Sequence, residues 1–470
     1  MNESVFRAYS IRGIVGDTIS AQDMLRIGRA AATILAETGV SSAVLGRDCR
    51  TSSPELAAAL GQGLLTAGMD VIDIGVCPTP LLNFATDHMG AGAGFMVTAS
   101  HNPPNHNGIK IRTDHTLQGD ELTRICRVAR AEAFRHARGA LTYAAPLDAY
   151  LGAIYQRATI ARPLRLVVDA GNGTAGLVAP RLLEKAGCSV VPLNCELDGL
   201  FPNRAPDPTA PGALDALAGR VVAEHADAGV AYDGDGDRLA VIDETGRLIL
   251  ADQLLALLAR KALAASHGAN VVYEVSCSQA VPETVLAAGG RPIPCPVGYA
   301  FVHQAMRRTK AILGGETAGH LFFAEPGFQF DDAMLGTMRI ASLLSLAGCT
   351  LSSLQAELPR YVQSPHRRFY CPDGEKAAVV QHIRDHLVAQ HLPIEEIDGV
   401  KACFAHGWSL FRASNTEPAV TLRCEARTHA ELAEIEGTAI DVLRQMLRGI
   451  GIDLEGTQED AHKVAHQVAH

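Results

Sequence analysis

Gly94-Phe95-Met96-Val97-Thr98-Ala99-Ser100-His101-Asn102-Pro103-Pro104-Asn105-His106-Asn107-Gly108-Ile109-Lys110 is the stretch around which the rest of the chain is organised. Phe95 to Val97 is an apolar run of strand character that stops abruptly in small and polar residues. Two prolines and an Asn-Gly pair then rule out a helix. A serine therefore stands at the carboxyl end of a buried strand, beside an imidazole, with a lysine ten residues on. Open α/β sheets place their ligands at that end. A Ser/Asn capping turn is the commoner fate of such residues. Even so, a hydroxyl, an imidazole and two amides in one turn, with an ammonium close behind, exceed what turning requires.

Outward from this loop the chain repeats itself. Ser42 to Gly46 reads as a strand, Arg47 to Ser53 as a polar turn, and Pro54 to Ala67 as a helix closed by Gly68. The strand Asp70 to Ile74 follows. Pro54 suits a first helical turn and Gly68 a C-terminal cap. Arg165 to Asp169 starts a second copy, with the Gly-Asn-Gly turn at 171–173, an apolar helix to Ala186, Gly187, and the strand Ser189 to Leu193. That turn lacks the Lys-Ser/Thr of a phosphate-binding P-loop. Val271 to Val275 opens a third, weaker copy whose helix ends at Gly289-Gly290. Alternating strands and helices of this kind build layered α/β units.

Composition shifts place boundaries near Tyr143–Pro146, Gly246 and Pro359. They divide the chain into 1–145, 146–246, 247–359 and 360–453, with a polar tail at 454–470. Beyond Pro359 the order is a strand at Arg367 to Tyr370, a helix at Glu375 to His391, and strands near 399–404 and 408–412. The fold class is thus three related α/β domains with mixed sheets between helices, plus a smaller C-terminal α+β domain. A chain of 470 residues fits about three or four domains. The net charge of −10 disfavours nucleic acid or an anionic membrane as the main partner. No apolar run of about 18 residues reads as a membrane span, and Glu3 and Arg7 interrupt any signal-peptide core. The 11 cysteines form no Cys-x-x-Cys pair, and Cys188, Cys277, Cys295 and Cys424 sit beside apolar residues. Free thiols in a reducing cytoplasm suit that pattern. His462, His466 and His470 read as a frayed terminus rather than a metal-binding tail.

Three further loops carry chemistry. Asp233-Gly234-Asp235-Gly236-Asp237-Arg238 follows the strand Gly229 to Tyr232, and alternation throws three carboxylates to one side, as a hard divalent cation requires. An EF-hand is excluded by the strand Leu239 to Ile242 inside its would-be loop. Gly314-Gly315-Glu316-Thr317-Ala318-Gly319-His320 follows strand-like Ala311 to Leu313 and flanks small residues with a carboxylate and an imidazole. Arg412-Ala413-Ser414-Asn415-Thr416-Glu417-Pro418 offers a guanidinium fork, two hydroxyls, an amide and backbone N–H groups, a cradle for phosphate.

Thr98-Ala99-Ser100-His101-Asn102-Pro103 resembles the phosphoserine loop of the α-D-phosphohexomutases, and the chain most resembles their bacterial phosphomannomutase/phosphoglucomutase group, from about Phe6 to about Arg448. The resemblance implies a reversible phosphate transfer between O1 and O6 of a mannose or glucose phosphate, through phosphorylated Ser100 and a 1,6-bisphosphate. It implies Mg²⁺ on Asp233, Asp235, Asp237 and the Ser100 phosphate, with hexose 1,6-bisphosphate as activator. Lys110 and Arg238 supply positive charge, and His101 is the candidate for proton transfer. Tyr9 and Arg12 lie near the sugar phosphate in the family, Glu316 and His320 beside Gly319 read sugar hydroxyls, and Arg412, Ser414, Asn415 and Thr416 bind phosphate. Asp331-Asp332 supports the sugar loop. Small sugar phosphates are the expected partners, with the protein a monomer or dimer. The chain departs from the family at Ser10, Ser276, Tyr299 and Ala318, where relatives carry Asp, often Lys, His and Ser. The last three fall in the unit that would choose the sugar. A phosphoglucosamine mutase is the rival specificity, and a non-catalytic sugar-phosphate sensor the rival class.

Overall fold

The fold is taken from a computed structural model that describes residues 1–415 and 417–452. Thr416 and the His-dotted tail therefore lie outside the described residues. Among those described, four sheets follow one another along the chain.

The first sheet has the order Ile11–Ile14, His106–Arg112, Ala93–Val97, Ser42–Arg47, Asp70–Val76, Leu141–Tyr143. His106–Arg112 pairs antiparallel with both its neighbours, and the remaining pairs are parallel. Helices Ala21–Glu37 and Ser53–Thr66 cover one face with an apolar core of Met24, Ile27, Leu56, Leu60 and Phe95. The first of them starts at a capping box between Ser20 and Asp23, and the second has Pro54 in its first turn.

The second sheet, Leu248–Ile249, Leu239–Asp243, Ala228–Tyr232, Arg165–Asp169, Ser189–Leu193, and the third, Arg291–Cys295, Asn270–Glu274, Leu313–Gly315, Leu321–Phe323, are also mixed. The fourth is antiparallel, built mainly on Val400–Phe404, Gly407–Ala413 and Ala419–Ala426, with helices Lys376–Ala389 and His429–Gly449 packed on it. Three mixed α/β units and a smaller α+β unit are the fold class that the sequence pattern implies.

Two local expectations are corrected. The segment after Gly171-Asn172-Gly173 is not one helix: Thr174–Leu177 is a 3₁₀ turn and Ala179–Lys185 an α-helix. Pro180 has no N–H and its ring would strike the carbonyl four residues back, so it is tolerated only in the first turn of a new helix. The strand expected at Ala311 begins at Leu313 and continues to Gly315. Lys310, at φ 54°, closes helix Tyr299–Thr309 in the left-handed region, and Ala311 and Ile312 carry the chain back to the sheet.

One apolar core runs through the first three units. Phe84, Tyr150, Phe328 and Phe330 meet ring to ring at 5.4–6.2 Å between successive centroids. The Tyr150 hydroxyl donates to both carboxylate oxygens of Asp332 at 3.0 Å. Asp332 also caps helix Ala333–Ala347 by accepting from the backbone of Met334 and Leu335. The fourth unit has its own core and meets the third through Val275, Trp408 and Leu410 and a set of polar contacts. All 11 cysteines are free. Among the described residues no helix is long and apolar enough to cross a membrane.

Candidate active site

Ser100 follows strand Ala93–Val97 with φ at 52°, a conformation that non-glycine residues adopt only when their surroundings hold them there. Arg50 is what holds it. Its buried guanidinium donates to the carbonyls of Ser100 (2.8 Å), Asn102 (2.7 Å), Pro103 (2.5 Å) and His106 (3.1 Å), and through Nε to Asp48 (2.9 Å). Asp48 in turn accepts from Ser53 and Thr98, and Thr98 Oγ1 accepts the Ser100 N–H at 2.8 Å. Burial pushes the Asp48 carboxyl up, while the Arg50 charge and these donors pull the other way. The loop is thus fixed from beneath by one buried cation whose five N–H groups suit a ring of carbonyls.

The serine hydroxyl donates to Asp233 Oδ2 at 2.7 Å and lies 3.3 Å from His101 Nδ1. Asp233, Asp235 and Asp237 are buried, and each offers an oxygen within a 4.8 Å cluster. Thr79 clasps the loop from the first unit: its hydroxyl donates to Asp235 Oδ2 at 2.6 Å and its N–H to the Asp235 carbonyl at 2.8 Å. Lys110 Nζ bridges Asp235, at 2.7 Å, and Asp237. Gly234 has to be glycine, because a Cβ there would sit 2.6 Å from the Ser100 carbonyl oxygen.

Burial and then the neighbouring carboxylates raise the Asp233 carboxyl, and Asp237 is raised in the same way. Asp235 goes down: burial opposes ionisation there, but the Lys110 charge overrides it. Three such groups accommodate a divalent cation well, and Oδ1 of both Asp235 and Asp237 is buried with no hydrogen-bond partner. His101 is held well below the usual imidazole range, by burial first and then by Arg238, Arg12 and Lys110. It is therefore a neutral ring at pH 7.

The third unit brings Glu316, Gly319 and His320 to the same place. Gly319, at φ 96°, accepts the Leu239 N–H at 3.0 Å, which ties this loop to the strand leaving the aspartates. His320 Nδ1 contacts Asp331 Oδ2 at 2.6 Å and its Nε2 lies 3.1 Å from Arg238 Nε; burial lowers the imidazole pKa, but the Asp237, Asp331 and Glu316 carboxylates outweigh it and leave it raised. Glu316 Oε2 is buried without a partner. Tyr299 stacks on His320 at 5.3 Å, meets Tyr9 edge-on at 4.9 Å and donates to the Tyr9 carbonyl at 3.1 Å. Arg12 donates to Asn102 Oδ1 at 2.9 Å. From the fourth unit, Arg412 pairs with Asp398, and Asn415 Nδ2 donates to the Val297 carbonyl at 3.3 Å. Lys376 Nζ braces the turn from behind through the Ser414 carbonyl at 2.6 Å.

Comparison with known proteins identifies the family. The four domains described as phosphoglucomutase/phosphomannomutase alpha/beta/alpha domains I, II and III and the C-terminal domain match residues 3–136, 148–246, 251–361 and 368–442. The chain belongs to the phosphoglucomutase/phosphomannomutase family. It is 37% identical over 452 residues to a phosphomannomutase/phosphoglucomutase of Pseudomonas aeruginosa, covering 96% of this chain and 97% of that one. It is 36% identical over 444 residues to a phosphoglucomutase of Neisseria gonorrhoeae, covering 93% and 96%. The crystal structure of a phosphoglucomutase/phosphomannomutase family protein from Burkholderia thailandensis superposes with a TM-score of 0.89 at 35% identity, over 96% and 98% of the chains. The chain is accordingly a phosphohexomutase.

One of the positions singled out in the sequence, Ser276, has a structural use. Ser276 turns inward: its hydroxyl and N–H both donate to the buried Glu274 carboxylate at 2.6 Å. Thr317, next to Ala318, donates to the same carboxylate through its hydroxyl at 2.7 Å and its N–H at 3.2 Å. Glu274 thereby staples two loops of the third unit. Sequence reasoning missed Asp48, Arg50, Thr79, Glu274 and Asp398. An Arg and an Asp in a short polar turn read as solvated, and only their fully buried position in the fold marks them out.

Proposed function

We propose that phosphorylated Ser100 is the donor of this mutase, and that the reaction moves phosphate reversibly between O1 and O6 of glucose or mannose phosphates. The observation carrying this reading is Ser100 Oγ at 2.7 Å from Asp233, in a cluster where Asp235 and Asp237 each present a buried, unmatched oxygen. Asp233, Asp235, Asp237 and the serine oxygen would hold Mg²⁺, which when bound neutralises charge on the transferring phosphoryl group. Lys110 and Arg238 add fixed positive charge beside it. Phosphoryl transfer needs alignment and neutralisation more than covalent help.

Transfer breaks the bond between Ser100 Oγ and phosphorus and forms one between phosphorus and O6 of a hexose 1-phosphate. The O6 proton passes to neutral His101, 3.3 Å from Ser100 Oγ, and from there to the departing serine oxygen. The resulting 1,6-bisphosphate reverses in the cleft and returns its O1 phosphate to Ser100, whose hydroxyl proton passes through His101 to O1. Free hexose 1,6-bisphosphate activates the enzyme by rephosphorylating Ser100. Tyr9, Arg12, Tyr299, Glu316, Gly319 and His320 surround the sugar, while Arg412, Ser414 and Asn415 take the distal phosphate. Arg412 suits that role because a guanidinium anchored along one edge by Asp398 keeps further N–H groups for a phosphate. The working units are 1–145, 146–246, 247–359 and 360–453, and a reducing cytoplasm suits the free thiols.

Intact-mass analysis, paired with turnover of glucose 1-phosphate and mannose 1-phosphate, tests the reading. One phosphate is expected on the protein, absent in Ser100→Ala, with activity lost in the same variant. Phosphate on another serine, or undiminished turnover in Ser100→Ala, overturns it.

A further inference from the structure

Asp398 sits in the turn between strands Ile394–Glu395 and Val400–Phe404, outside every loop so far given a chemical role. Its Oδ2 accepts from Arg412 Nε at 2.8 Å and from the backbone N–H of Val297 at 2.9 Å. Asn415 Nδ2 grips the other side of the same residue, donating to the Val297 carbonyl. One carboxylate oxygen thus joins the guanidinium of the fourth unit to the loop of the third unit that leads into Tyr299. Arg412 Nη2 lies 2.7 Å from that oxygen, yet it is buried and its N–H groups find no aligned acceptor.

A guanidinium is planar and carries its five N–H groups in a fixed fork. Anchoring it through Nε therefore sets the direction in which its remaining donors point. On the reading above, in which Arg412 binds the distal phosphate, we propose that Asp398 is a positioning residue. It holds the Arg412 plane so that Nη1 and Nη2 face an incoming phosphate. It also ties that orientation to the docking of the fourth unit on Val297. The opposite effect is physically available too: a carboxylate beside a bound phosphate repels it. The sign of the mutational effect on KM therefore decides the matter.

The test is a double-mutant cycle on the full-length enzyme, with Asp398→Ala, Arg412→Ala and the double variant assayed on glucose 1-phosphate. Circular dichroism serves as the fold check. Asp398→Ala is expected to raise KM and to lower kcat/KM roughly tenfold, the size of one charge-assisted bond, with kcat changing less. Added to Arg412→Ala, it is expected to cost less than about twofold more, because a residue acting through another has nothing left to act on. Asp398→Asn keeps an acceptor for Val297 but loses the charge, and is expected to fall between. It runs the same cycle if Asp398→Ala does not fold. A KM that falls, or losses that multiply independently, overturns the proposal. An unimpaired Asp398→Ala beside an impaired Arg412→Ala overturns it while leaving the phosphate reading intact. An Arg412→Ala enzyme with unchanged KM overturns that reading and the proposal together.

Discussion

Phe84, Tyr150 and Phe328 meet where the first three units join, whereas Glu425, Gln363 and Trp408 meet where the fourth docks on the third. The first seam is a cluster of buried rings continuous with the main core. The second is built from directed bonds: buried Glu425 accepts from the Gln279 N–H at 2.8 Å, from Trp408 Nε1 at 3.0 Å and from Gln363 Nε2 at 3.0 Å. Around it, Arg427 and the Tyr361 hydroxyl both reach Glu283. Apolar burial is lost in proportion to the area exposed to water. A hydrogen bond exchanged for water costs only about 0.5–1.5 kcal/mol net. By that measure the first seam is the costlier to open and the second the cheaper.

Substitutions separate the two. Phe328→Ala removes a fully buried ring shared by three units, and a loss of about 3–5 kcal/mol is expected in urea unfolding. The folded fraction should keep near-normal kcat/KM, since Phe328 touches no proposed site residue. Severe kinetic damage at full stability would show that this seam does more than bind the units. Glu425→Ala strips the acceptor from three donors and is expected to cost about 1–3 kcal/mol. Here the loss should fall on the fourth unit alone, seen as an early unfolding step ahead of the main transition. A single cooperative transition would make the two seams energetically one.

The smallest effect concerns a surface contact between the first and third units. Arg307 donates to the Asp114 carbonyl and carboxylate at 2.9 and 2.8 Å, and His115 stands between Asp114 and Glu121. Partial burial lowers the His115 pKa, but the two carboxylates outweigh it and leave it raised above 6.5. A raised folded pKa means stabilisation that is complete below the unfolded value and fades as pH rises through the folded one. His115→Gln is thus expected to lower stability in acid by roughly a few tenths of a kcal/mol after screening, read as a slightly lower melting temperature, and not at alkaline pH. An equal effect on both sides of neutrality would remove the charge from the explanation.

Much of this was legible in the sequence, for reasons visible in particular residues. Arg165–Asp169 and Ser189–Leu193 fall where their apolar runs end at glycine turns and a cap. The serine and aspartate loops were legible because chemistry concentrates polar residues in short, glycine-loosened segments. Arg50 was not, since its partners lie some fifty residues away in sequence and nothing local shows that its charge is buried. Asp398 was hidden in the same way, its value lying in one contact within the fourth unit and one made across a unit boundary. The break at Pro180 could have been read, since proline belongs in a first turn.

The chain contains one tryptophan, Trp408, and it sits on the polar seam with its indole N–H on Glu425 and Lys401 Nζ 4.5 Å from its ring. Indole emission responds to hydration and to nearby charge. The protein therefore carries a built-in optical gauge at that joint, with no second tryptophan to blur the signal. Mixing the enzyme with a sugar phosphate in a stopped-flow fluorimeter would read any change in the surroundings of the joint on the same clock as turnover, without a label.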